Sequence, residues 1–112
     1  MMLYGAPYEP EDVPPGHPVN YFVVLAKGID RLHNLSCCYA LLRSAAIMRW
    51  EPEYWTRDRV RQYAQEAQEC HIPLLKDALA HETPDTYGLK PYIENTLTEL
   101  SDLVERVQAY VR

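Results

Sequence analysis

The chain has 112 residues and a mass of 13.0 kDa, the size of one domain, which argues against a two-domain enzyme with a separate cofactor module. An apolar fraction of 47% against 24% charged is globular composition, too apolar for a wholly disordered chain. The net charge of -5 and pI near 5.3 disfavour, without excluding, a protein whose main affinity is for nucleic acid.

Five of the nine prolines fall in the first 18 residues, among Glu9, Glu11, Asp12 and Gly16, so residues 1–18 read as an extended, polyproline-like arm. Tyr4, Tyr8 and Val13 give that arm apolar anchors for a neighbouring subunit or partner. Residues 19–112 are expected to form a single helical-bundle domain.

From Asn20 to Trp50 there is no proline, and Tyr21, Leu25, Leu32, Leu35, Tyr39, Leu42 and Ala46 recur at helical steps. This predicts one long helix of about 45 Å, capped by Asn20. The same stretch carries Lys27, Asp30, Arg31 and Arg43, too many charges for a membrane span. A second helix is expected after Thr56, a suitable N-cap with Asp58 in the first turn, burying Val60, Tyr63, Ala64, Ala67, Cys70, Leu74, Leu75 and Ala78. Pro73 interrupts it. The apolar face continues on both sides, which predicts a kinked helix to about His81; a break there would instead give four helices. Thr83-Pro84-Asp85 with Gly88 reads as a short connector. Pro91 to Arg112 then carries a heptad-like seam of Ile93, Leu97, Leu100, Val104, Val107 and Val111. No segment alternates with period two, so the fold class is all-α, an antiparallel three-helix bundle.

The first helix also asks for a cover. Its polar stripe, Lys27, Asp30, Arg31 and Asn34, gives way along the same side to Cys38, Leu41, Ala45 and Met48, and ten of the thirteen residues from Ser36 to Met48 are apolar. Two neighbouring helices cover about half a helix circumference. The four residues Cys38, Leu41, Ala45 and Met48 are therefore expected to form an interface with a second copy of the chain or with a protein complex partner.

Residues 43–61 sum to +2 within the acidic chain. They hold Arg43, Arg49, Trp50, Tyr54, Trp55, Arg57, Arg59 and Arg61, and arginine beside aromatic rings suits a phosphate, a nucleotide or a partner protein. Three acids sit among them, so a solvated surface of ion pairs capped by packed tryptophans explains the same composition. Cys70 and His71 are weak metal candidates, with His33 or Cys37 of the first helix as further ligands, since no paired zinc-ligand spacing occurs. The sequence has no metalloprotease His-Glu-x-x-His, no phosphate-cradling glycine loop and no Gly-x-Ser-x-Gly nucleophile turn, and no cofactor is expected. Three cysteines, two of them adjacent, fit a reducing cytoplasm better than a disulfide framework. These features lead to the expectation of a non-enzymatic helical interaction or assembly protein, self-associating or an adaptor in a larger complex. A small-ligand or nucleic-acid module at residues 43–61 stands second, and a metal-binding helical enzyme last.

Overall fold

The structure is a computed structural model that describes residues 18–80 and 88–112; the arm before Pro18 and the connector at 83–87 lie outside them. The described residues form an all-α bundle of α1 (Pro18–Met48), α2 (Arg57–Glu66), α3 (Ile72–Ala80) and α4 (Lys90–Val111). A π-helical turn (Ala67–His71) joins α2 to α3 without a break, so these make one rod and the bundle has three. The packing partners fix its direction. Along α1, Gly28 meets Thr96 and Tyr39 meets Tyr110, so α1 and α4 run the same way. Arg57 reaches Tyr110 at one end, and Leu75 lies with Thr96 beside Gly28 at the other, so the middle rod runs antiparallel to α4 and, with it, to α1.

Local chemistry explains most element ends. Thr56 caps α2 as its sequence position implies, its hydroxyl accepting from the Arg59 backbone N–H at 3.2 Å. The first helix begins at Pro18, two residues before the expected cap Asn20, with proline in the first turn where its missing N–H costs nothing. It ends in a Schellman turn: the Trp50 N–H donates to the Ala45 carbonyl at 3.0 Å, and Arg49 holds the left-handed position at φ 61°, a role usually given to glycine.

Pro73 is absorbed rather than broken around. A proline ring collides with the carbonyl four residues back, and the π-turn just before it widens the backbone so that the Ile72 N–H reaches the Ala67 carbonyl, five residues back.

The core is built from Tyr21, Leu25, Leu35, Leu42, Val60, Leu75, Ile93, Leu100 and Val107, with Leu35, Val60, Leu75, Ile93, Leu100 and Val107 fully enclosed. The α4 seam faces inward as its heptad pattern implies, with Leu97 half-buried. Gly28 permits a close approach of α1 to its neighbours, because a Cβ there would lie 3.2 Å from Leu75 Cδ1 and from Thr96 Cγ2.

On α1 the faces are distributed differently from the expected pattern. The stretch read as a solvent stripe turns partly inward: Lys27 and Arg31 are buried, and Cys38 and Ala45 follow them into the core. The close contact at Gly28 draws this side of the helix onto α3 and α4, and the long stems of lysine and arginine tolerate such burial. Phe22 and Ile29 face outward instead, and Ala46 is exposed.

Candidate functional site

The four residues expected to form an interface divide two and two. Cys38 and Ala45 are sealed inside the chain's own core, whereas Leu41 and Met48 are exposed. Among the described residues, the large apolar side chains left uncovered on α1 are therefore Phe22, Ile29, Leu41, Ile47 and Met48, with Ile47 77% and Met48 71% exposed. Phe22 and Ile29 had no place in the sequence reading, although they stand one heptad apart. Between them and Leu41, His33 and Cys37 lie one helical turn apart on the same exposed face, Nε2 and Sγ 3.8 Å from each other. Beside this face, Ile29, Leu32 and His33 of α1 line a shallow groove of about 360 Å³ with Glu99, Asp102 and Arg106 of α4.

Within the corner of residues 43–61, Arg57 and Arg61 fasten the bundle's end. Arg57 Nη2 donates to the Tyr110 carbonyl at 2.6 Å, and Arg61 Nη2 donates to the Val111 carbonyl at 3.2 Å, so two guanidinium groups occupy carbonyls that α4 leaves open at its C-terminus. Arg61 also pairs with Asp58. Arg59 lies 4.5 Å over the ring of Tyr54, and Tyr54 meets Trp55 edge-on at 5.0 Å. Trp55 in turn meets Tyr63 at 5.2 Å, and the buried Arg31 stacks 3.5 Å over that ring. A continuous ladder of three aromatic rings thus runs between an interior and a surface arginine. Arg49 and Trp50 stay exposed at the end of α1.

Cys70 and His71 do not meet His33 and Cys37. His71 is buried inside the π-turn with Nδ1 3.5 Å from the Glu66 carbonyl, while Cys70 is half-buried. Among the described residues no three His, Cys, Asp or Glu side chains are grouped to hold a metal ion. Burial pushes the His71 pKa down to about 4, and the charges of Arg31 and Lys27 push the same way. Arg31 itself is held by the Tyr63 carbonyl at 3.1 Å and the Glu66 carboxylate at 3.2 Å. The Lys27 ammonium is buried with no hydrogen-bond partner among the described residues. Burial also raises the Cys38 thiol to about 11, far from a nucleophilic thiolate at neutral pH.

No protein family, curated protein or solved structure matches this chain. No helix among the described residues is long and apolar enough to cross a membrane.

Proposed function

We propose that this chain is a non-enzymatic helical assembly protein that associates with itself through the outer face of α1. The observation that carries this reading is the row of large apolar side chains left uncovered along that helix, Phe22, Ile29, Leu41, Ile47 and Met48. Fully burying one such side chain is worth about 1.5–3 kcal/mol, so half-exposed ones taken together supply several kcal/mol toward the cost of association. A row that runs the length of one helix is the form in which helical subunits meet one another.

The chemistry elsewhere supports a non-catalytic role. Arg57 and Arg61 of the corner are engaged with α4 and Arg59 with an aromatic ring, and burial holds the pKa of the interior histidine low. The free thiols of Cys37, Cys38 and Cys70 support a reducing compartment such as the cytoplasm.

Solution mass tests the reading. Light scattering on the eluting peak is expected to give a multiple of 13.0 kDa for the wild type, and the single-chain mass for Ile29→Asp and Leu41→Asp with helicity retained. A wild-type peak at 13.0 kDa, unchanged up to high protein concentration, would remove self-association.

A further inference from the structure

Eight exposed positions along α1 form a pattern that reads the same from either end, while exposed Ser36, Arg43, Ala46 and Ile47 stand outside it. Phe22 and Met48 stand thirteen residues to either side of residue 35, and Ile29 and Leu41 stand six to either side. Ala26 and Ser44 are nine away, and His33 and Cys37 are two away. All eight are exposed, and together they step along the helix by 4, 3, 4, 4, 4, 3 and 4. An isologous contact needs this property: when two identical helices cross a twofold axis in antiparallel order, residue i of one meets residue j of the other and j meets i. With the axis at residue 35, Phe22 faces the second copy's Met48, Ile29 faces its Leu41, and each end of the contact is an apolar pair. The seam spans about 39 Å at 1.5 Å per residue.

At the centre of that seam the pairing brings His33 against Cys37 of the second copy, twice over. Within one chain Nε2 and Sγ are already 3.8 Å apart. A tetrahedral zinc ion with a sulfur ligand near 2.3 Å and a nitrogen ligand near 2.0–2.1 Å has an S···N edge of about 3.6 Å. The His33–Cys37 pair is therefore one edge of a zinc tetrahedron, and the chain alone supplies no third ligand among the described residues. We propose that His33 and Cys37, together with the same two residues of a second copy, bind a zinc ion on the twofold axis of an antiparallel α1–α1 pair. Two imidazoles and two thiolates make the closed four-ligand set of a structural zinc site. Binding releases one proton from each cysteine, and the two thiolates neutralise the charge of the ion. The placement rests on the self-association proposed above; the metal is an additional claim that can fail by itself.

The test uses the full chain, stripped with a chelator and kept in a non-thiol reductant so that a Cys37 disulfide cannot form. Mass is measured with and without added zinc, and cobalt(II) is titrated as a spectroscopic stand-in. The proposal expects one metal ion per two chains, a dimer strengthened by zinc, and cobalt absorption bands of a tetrahedral, thiolate-ligated site. In His33→Ala and in Cys37→Ser, both surface changes that leave the core intact, the bands vanish and zinc affinity falls by on the order of 10³-fold or more. A dimer that is indifferent to zinc, chelator and both substitutions overturns the metal site while leaving self-association standing. A monomer with and without zinc overturns both claims. One metal ion per chain without association overturns the shared site.

Discussion

The Arg57 guanidinium lies 5.4 Å over the ring of Tyr110 and at the same time donates to that residue's carbonyl at 2.6 Å. One side chain at the start of α2 thereby holds both the aromatic face and the open backbone of the last turn of α4. Arg61 does the same for the next carbonyl, at Val111.

Removing these two contacts should fray the end of the bundle without unfolding it. Arg57→Ala and Arg61→Ala are each expected to lower stability by about 0.5–1 kcal/mol, since such helix-end contacts are partly exposed and screened. Urea denaturation reads the loss, and amide exchange confined to the last turn of α4 shows where it arises. Equal protection throughout α4 in both variants would mean the guanidinium groups hold nothing in solution.

At the end of α1 the change should go the other way. Arg49 occupies the left-handed region at φ 61°, where a Cβ is unfavourable and glycine is not. Arg49→Gly is therefore expected to stabilise the chain by about 0.5–1 kcal/mol, seen as a higher midpoint in the same titration. A destabilised variant would show that the arginine side chain makes a contact worth more than the backbone relief.

The outline of the bundle was legible in the sequence because the α2–α3 rod and α4 carry a single apolar face each: Val60, Ala64, Ala67, Leu75 and Ala78 on one, and Ile93, Leu100, Val104, Val107 and Val111 on the other, are all buried, and of the expected residues only Leu74 turns outward. Thr56 announced its cap for the same local reason. On α1 the seam of Tyr21, Leu25, Leu35 and Leu42 is buried as its spacing implies, but the polar stripe beside it misled, because periodicity alone cannot say how far round the helix the inward face extends. Burial of Lys27 and Arg31 depends on Gly28 letting α3 and α4 close in, and on a carbonyl and a carboxylate waiting for Arg31 at Tyr63 and Glu66. Those are partners from distant parts of the chain, invisible to a window on α1. The need for an uncovered surface was readable; its placement on Phe22 and Ile29 was not.

Lys27 offers a direct measure of what that interior arrangement costs. Its ammonium is buried without a hydrogen-bond partner among the described residues, near a second buried cation, Arg31. Lys27→Met keeps the stem and removes the charge, and is expected to stabilise by about 1–3 kcal/mol, raising Tm by several degrees. A Tm that drops instead would reveal an anionic partner for the amine.

His71 makes stability depend on pH in a defined window. Its folded pKa, about 4, lies below the ordinary value of 6.5 because burial and then the Arg31 and Lys27 charges disfavour the imidazolium. Between those two values the unfolded chain binds a proton that the folded chain refuses, so stability falls as pH drops from 6.5 toward 4. The loss attributable to this one group is on the order of 3 kcal/mol at its fullest extent. Denaturation at pH 7 and pH 5 should show a gap that shrinks in His71→Gln; an unchanged gap would assign the acid sensitivity to other groups.

The widened turn at Ala67–His71 also sets which edits the gene could tolerate. It carries an extra residue that makes room for Pro73 in a rod whose Ala64 and Leu75, on either side of it, are both buried. Deleting a single codon there would close the rod to a regular spiral with little rotation of the residues beyond it, but would bring the Pro73 ring against the carbonyl four residues back. A codon lost from residues 51–53, between α1 and α2, would shorten only a loop. Across descendants of this sequence, a regular spiral between Ala64 and Leu75 should therefore accompany the loss of Pro73.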